Sequence, residues 1–230
     1  GATNCPETPR QRMISMMYLV YTAMLALNVS AEILQAFVTV GDSMEVTNKL
    51  LMGKAESAYT IFETSYRQDP GKVGDNWAKA QEVRKKTKEI IEYIDNMKYE
   101  LFVVVEGTPG GVAEAKKLLK EKGFDAVQKK DEYSSPTNYF LAGSEDGSKG
   151  KAIELRNKID KYQKEMLQYA SGSFKETLKS MQIDFKGPFK NASGETLNWQ
   201  MYNFFHTIAL ADMVLLNKFK SEIQNAEVDL

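Results

Sequence analysis

The sequence predicts an all-α protein: a single N-terminal transmembrane helix followed by a periplasmic up-down helical bundle. Three observations predict it. Residues 13 to 31, MISMMYLVYTAMLALNVSA, carry no charge. Beyond them, apolar residues recur at alternating spacings of three and four along several long stretches, the pattern of helices that bury one face. Strand-like patterning is almost absent, the short LFVVV at 101–105 being the exception.

At the helical rise, the uncharged run spans roughly 28 Å, close to the hydrocarbon thickness of a bilayer. Thr8 is placed to cap the helix and Pro9 fits its first turn, where no amide donor is needed. This divides the chain into a short cytoplasmic tail at 1–8, a transmembrane helix at 9–31 and a periplasmic domain at 32–230. A cleaved secretory signal is the competing reading, but its apolar core is usually ~7–15 residues. No turn signal follows the run; the pattern continues as helix through AEILQAFVTVGDSMEVTNKLL. Cys5 precedes the run, which argues against lipoprotein processing. Arg10 and Arg12 stand before it, whereas Glu32, Asp42 and Glu45 follow and the first later lysine is Lys49. The positive-inside rule then places the N-terminus in the cytoplasm and the bulk of the chain outside it.

The polar residues of this helix fall on faces. Gln11, Ser15, Tyr18 and Thr22 form one stripe, and Arg10, Tyr21 and Asn28 a second, about 80–100° round the helix. Ala23, Ala26 and Ser30 form a small-residue face of the kind that permits close helix contact. Two readings stay open on spacing alone. The faces meet protein partners, or Ser and Thr bond back to their own helix while the tyrosines sit at the interface and Arg10 snorkels.

The bundle helices follow in order. The first runs from Ser43 to Tyr66. A second carries Trp77, Ala80, Val83, Thr87, Ile90, Ile94, Met97 and Leu101; a third carries Leu155, Ile159, Tyr162, Met166 and Tyr169. The fourth carries Leu197, Met201, Phe204, Ile208, Ala211, Leu215 and Phe219. DPGKVGD at 69–75 and DFKGPFKNASGE at 184–195 separate them as breakers. Four long helices with polar outer faces imply an up-down bundle. Within 106–150, EGTPGGVAEAKKLLKEKG sets a glycine-rich turn before a short helix. It lacks the G-x-x-x-x-G-K-[ST] phosphate loop, so a capped connector is expected. YSSPTNYF and GSEDGSKGK read as a surface loop.

Composition narrows function. The 30 basic and 31 acidic residues leave a net charge of -1, which gives no electrostatic case for nucleic acid. A lone cysteine, Cys5, excludes an internal disulfide framework, and a lone histidine, His206, disfavours zinc ligation and His-based catalysis. His206 lies beside Phe204, Phe205 and Ile208 on a core-facing stretch and reads as a packed histidine. No nucleophile–base or ligand cluster appears, so neither an enzyme nor a cofactor or metal is expected. A membrane-anchored periplasmic sensor or binding bundle is the alternative. A receptor usually needs a second span, which the last helix, bearing Asp212, Lys218, Lys220 and Glu222, does not supply.

At TPRQRMISMMYLVYTAMLALNVSAEIL the chain resembles the N-terminus of the GldM/PorM family, inner-membrane motor subunits of the type IX secretion and gliding machinery. The resemblance continues through KAQEVRKKTKEIIEYIDNMKYEL and the IQNAE ending of the last helix. It implies a homodimer whose two membrane helices sit inside a ring of GldL/PorL-like two-span subunits carrying a membrane glutamate. It assigns Arg10 the ion pair with that glutamate, through the TPR motif, and places Tyr18 at the same interface. The stripe residues Gln11, Ser15 and Thr22 join the partner-facing set, and Ala23, Ala26 and Ser30 the close-packing set. Arg12 is expected to be a topology and headgroup residue. The resemblance further implies a chain cut short after its first periplasmic domain, with later domains reaching the outer-membrane components. The motor would be driven by the proton motive force, in the inner membrane of a bacterium.

Overall fold

The computed structural model describes residues 29–230, and eight α-helices and one two-stranded hairpin are found among them. The first, α1 (Ala31–Gln68), is 38 residues long. Val29 and Ser30 are not helical: Ser30 has extended backbone, and its side chain accepts the Ile33 amide at 3.2 Å. A helix start leaves its first amides without partners, and a serine in this position satisfies one of them. Ser30 therefore caps α1, which begins at Ala31. The rest of the expected span at 9–31, up to residue 28, lies outside the described residues. No helix among the described residues is long and apolar enough to cross a membrane.

Only Asp69 leaves the helical path between α1 and α2 (Pro70–Glu106). Its carboxylate accepts the Lys72 amide at 3.1 Å. Pro70 opens α2 where a missing N–H costs nothing, so the breaker expected at 69–75 contracts to one residue. Trp77 closes this end of the hairpin by stacking on both Phe62 and Tyr66, with centroids 5.6 and 5.7 Å apart. The strand-like LFVVV forms the last turns of α2, where Leu101, Phe102 and Val105 are buried. Tertiary burial overrides the strand preference of the valines. Gly107, in the left-handed region, ends the helix.

A short helix, α3 (Gly111–Lys122), and a 3-10 turn at Gly123–Ala126 follow, as the capped connector predicts. YSSPTNYF, expected as a surface loop, instead holds α4 (Ser134–Leu141) with Pro136, Phe140 and Leu141 buried. The Glu132 carboxylate accepts the first amides, those of Ser134 and Ser135, and Phe140 stacks on Phe204 at 4.0 Å. Next come α5 (Lys151–Tyr169), α6 (Gly172–Met181), and the hairpin of β1 (Phe189–Lys190) with β2 (Thr196–Leu197). They lead into α7 (Trp199–Phe204) and α8 (Ala209–Asp229).

The fourth expected stripe, Leu197 to Phe219, is thus not one helix. It divides into β2, α7 and α8, with His206 at φ 54 in the break. The reason is a set of competing hydrogen bonds. The His206 amide donates to the Thr137 hydroxyl at 3.1 Å, and the first amides of α8, Ala209 and Leu210, donate to the carbonyls of Glu132 and Lys130. His206 is a packed histidine between Tyr133 and Phe205, as expected, though on a turn rather than a helix. Burial holds its pKa below the ordinary value.

The long helices do not alternate strictly up and down. Along α2, Glu56 meets Arg84 and Glu45 meets Lys98; Glu165 meets Lys86 and Lys158 covers Tyr93; Lys220 meets Asp95 and Asn217 meets Lys98. Each pairing descends α2 as its partner helix ascends, so α1, α5 and α8 all run antiparallel to α2 and parallel to one another. The segment 170–208 makes the return that this arrangement requires between α5 and α8. The end of the bundle where α1 begins is called its base below.

The 3-10 turn docks at the base. A side chain on Gly41 of α1 would place its Cβ 2.0 Å from the Phe124 ring, so the ring fills the space that glycine leaves. Asp42 accepts the Phe124 amide at 2.9 Å. Near the same end, Asp212 is 1% exposed: Thr207 donates to Oδ1, and Oδ2 has no partner among the described residues. Burial pushes the Asp212 pKa well above the carboxylate range, with the Thr207 bond opposing.

Two outcomes are expected. Gly41→Ala costs about 1–3 kcal/mol by overpacking and Phe124→Ala about 3–5 kcal/mol by cavity formation; the double variant costs less than their sum, because removing the ring makes room for the methyl group. Thermal unfolding of the four proteins measures the cycle, and additive costs would dissociate the two residues. For Asp212, the folded state prefers the neutral acid, so its contribution is complete below the unfolded value of 3.8 and declines as pH rises towards the raised folded value. Asp212→Asn should flatten that decline when denaturant midpoints are followed from about pH 4 upward; parallel curves for the two proteins would contradict it.

Candidate interaction surface

The first helix is apolar on the wrong side. Its buried residues are Val38, Gly41, Asn48, Leu51 and Ala55, small or polar apart from Val38 and Leu51. Several of its large apolar side chains face solvent: Ile33 is 51%, Leu50 65% and Ile61 69% exposed, and Val40 and Val46 are exposed beside them, whereas Leu34 and Phe37 pack against the core. Ile33, Val40 and Ile61 share one heptad position, with Leu50 and Val46 flanking that line. Thr47 and Lys54 occupy the same heptad position between them. From Ile33 to Ile61 the strip extends roughly 42 Å at the helical rise. Exposed apolar residues recurring along a line of that length, though broken by Thr47 and Lys54, mark a surface that meets another molecule.

The inner side of α1 is held by charge. Lys98 of α2, whose side chain is 4% exposed, places Nζ 2.5 Å from Glu45 of α1 and 3.5 Å from Asp95 of α2. It also donates to the Asn217 side chain of α8 at 3.2 Å. Lys220 of α8, 8% exposed, reaches Asp95 at 2.7 Å. Asn217 returns a hydrogen bond to Glu45 at 3.0 Å, Asn48 donates to the Asn217 carbonyl, and Ser221 donates to Asn48. Two ammonium groups thus face two carboxylates; Asn217 bonds both Glu45 and Lys98, whereas the buried Asp95 Oδ1 meets Lys98 and Lys220 as ion pairs without a hydrogen bond. Burial alone would raise the Glu45 pKa; Lys98, Lys220 and Asn217 together outweigh it and hold it below the ordinary value.

Towards the far end of α8 the polar contact repeats in a wetter setting. Tyr59 of α1 donates to Glu227 at 2.8 Å, and burial raises the Glu227 carboxyl despite that bond. Thr87 and Tyr162 share a hydrogen bond of 2.7 Å between α2 and α5. Among the described residues no group of His, Cys, Asp and Glu is arranged to hold a metal ion. Of the residues singled out from sequence as partner-facing or packing, Arg10, Gln11, Ser15, Tyr18, Thr22, Ala23 and Ala26 lie outside the described residues, and Ser30 is the cap of α1.

The charged cluster was not anticipated, because an isolated Lys or Asn on an amphipathic helix reads as part of its wet face. One signal was present. Residues 209–216, ALADMVLL, are apolar around the whole helix apart from Asp212, and a helix buried all round must bury its polar residues too. Asp212, Asn217, Lys220 and Gln224 are buried accordingly.

No curated protein matches the chain. The family model of the GldM N-terminal domain matches residues 32–230, beginning one residue after the first residue of α1. That match spans the charged cluster, the apolar strip and all eight helices save their first residue. The chain belongs to the GldM family, whose members are components of the gliding and type IX secretion machinery.

Proposed function

We propose that this chain is the anchored first domain of a motor subunit that uses the proton motive force to power type IX secretion and gliding. It works with a GldL/PorL-like two-span partner in the bacterial inner membrane, N-terminus in the cytoplasm and bundle in the periplasm. The membership in the GldM family carries this reading, and the uncharged run at 13–31 behind Arg10 and Arg12 supports it. Arg10 pairs with a membrane glutamate of the partner ring, and Tyr18, Ser15, Thr22 and Gln11 line the same contact. A carboxylate in lipid prefers its proton, and a nearby arginine favours the charged form. Two inner helices cannot present equal faces to every subunit of a larger ring, so the glutamates differ in proton affinity. Successive proton entry and exit then turns ring and inner helices against one another. Each proton crossing ~100 mV releases about 2.3 kcal/mol.

The bundle transmits that motion outward as a homodimer. Its two α1 helices pair in parallel through the strip of Ile33, Val40, Leu50 and Ile61, starting just past the expected membrane span, with Ser30 as their cap. Burying such side chains yields about 1.5–3 kcal/mol each, and Lys54, on the heptad line between Thr47 and Ile61, favours one register. Components near the outer membrane receive the motion through domains beyond this one.

In the full-length protein, Arg10→Gln is expected to stop secretion and gliding with the complex still assembled, whereas Arg12→Lys is tolerated. Normal activity of Arg10→Gln would sink the mechanism. Leu50→Glu combined with Ile61→Glu should leave the helical content unchanged and halve the mass measured by light scattering in detergent. A dimeric mass for that variant would move the contact away from α1.

A further inference from the structure

We propose that the Glu45–Lys98–Asp95–Lys220 cluster is a register key: it fixes the axial position of α1 against α8 and adds no net stability to the fold. Its members come from three helices in alternation. The carboxylates belong to α1 and α2, the ammonium groups to α2 and α8, and the linking amide of Asn217 to α8. Buried ion pairs recover little beyond their own desolvation, and apolar replacements of similar volume are commonly neutral or stabilising. Breaking such a pair is another matter, because a charge left alone in the interior has no water to turn to. The cluster is therefore indifferent to stability in register and intolerant of any shift out of it.

Away from the base, where Gly41 and Asp42 meet Phe124, few large side chains of α1 oppose such a shift. Beyond Leu34, Phe37 and Val38 near the base, the inner face of α1 buries Gly41, Asn48 and Ala55, with Leu51 the one large apolar residue among them. Small residues leave few knobs to interlock with α8. Phe124 locks Gly41 to the 3-10 turn, not to α8. The Tyr59–Glu227 bond is part-buried, and water can take its place. Sliding α1 by one turn, roughly 5.4 Å, would carry Glu45 away from Lys98 and Asn217 together. Asn48 would lose the Asn217 carbonyl and Ser221 in the same movement. A key of this kind matters where a helix is pulled or twisted along its axis, so its use rests on the proposed function above, although its geometry does not.

The test uses the full chain with Cys5→Ser and spin labels at Lys49 and Lys218, exposed positions on α1 and α8. Labelled copies are diluted with unlabelled ones so that only distances within a protomer are read. In an apolar variant, Glu45→Leu, Asp95→Leu, Lys98→Met, Lys220→Met and Asn217→Leu are combined. The melting temperature is expected to stay level or rise, while the single label distance broadens or moves by a helical-turn step. One narrow distance at the original value overturns the proposal, and so does a variant that melts lower or fails to fold, since the cluster is then a stabiliser. Reversing all four charges together, Glu45→Lys, Asp95→Lys, Lys98→Glu and Lys220→Glu, keeps every neighbouring pair opposite and should retain the original distance; a broadened distance there also overturns it. Secretion by the full-length apolar variant is a separate reading. A shifted register with secretion lost supports both inferences, whereas a shifted register with normal secretion keeps the key and refutes the transmission of torque through α1.

Discussion

The structure turns on one ammonium group, that of Lys98. It is almost wholly withdrawn from water in the last third of α2, the helix that every other long helix packs against. A lone cation there would be prohibitively unstable, so each neighbour has to supply something to it. Glu45 brings a carboxylate from α1, Asn217 an amide oxygen from α8, and Asp95 a second carboxylate that Lys220 shares. Satisfying this one group fixes the rotation of α1 and α8 about their axes as well as their positions along α2. The apolar core of Ile94, Leu101, Leu155, Ile159 and Leu216 supplies the driving force for collapse. It is less discriminating about which collapsed arrangement results.

The same constraint accounts for the inverted polarity of α1. A helix whose inner face must carry Glu45 and Asn48 to the cluster, and Gly41 to the Phe124 ring, has little inner surface left for large apolar residues. Ile33, Ile61, Val40, Val46 and Leu50 lie outside, where water penalises them unless something covers them. The two faces of α1 therefore do different work. The inner one specifies position within the protomer, and the outer one offers adhesion to whatever lies beyond it.

Much of this was legible in the sequence, and the remainder was hidden for physical reasons. The Val83-to-Leu101 and Leu155-to-Met166 stripes are buried as their spacing requires, because those helices have one wet side and one dry side. LFVVV and YSSPTNYF misled for opposite reasons. Valines have strand character by themselves, but α2 buries them as helix; the second segment is rich in loop formers, but Phe140 and Leu141 anchor it to the core. The division of the last stripe at His206 depends on carbonyls of residues 130 and 132 and the hydroxyl of Thr137, far away in sequence. Periodicity carries no information about such partners. Lys98 is the sharpest case: beside Met97 it reads as an ordinary surface lysine, and only the arrival of Glu45 and Asn217 from two other helices distinguishes it. The family resemblance at residues 8–35 pointed to the functional class that the match over 32–230 establishes, although the residues that would generate motion precede the described chain.

These features also define where force would go in the proposed motor. Motion delivered at Ser30 enters α1 at its capped end, where Phe124 and Asp42 tie it to the 3-10 turn within the first three turns. By Glu45 and Asn48, roughly 21–26 Å along the helix, it is shared with α2 and α8 through bonds that resist both sliding and rotation. Because α8 runs parallel to α1, both helices point away from the base, and α2 couples them as a central antiparallel rod. A bundle of strictly alternating helices would return the last helix to the base. This one ends α8 beside Tyr59, far along α1, where Glu227 receives its hydrogen bond. The parallel course of α1 and α8, made possible by the return through residues 170–208, is thus what directs the C-terminal end of the domain outward. The buried lysine cluster makes the two helices move as one.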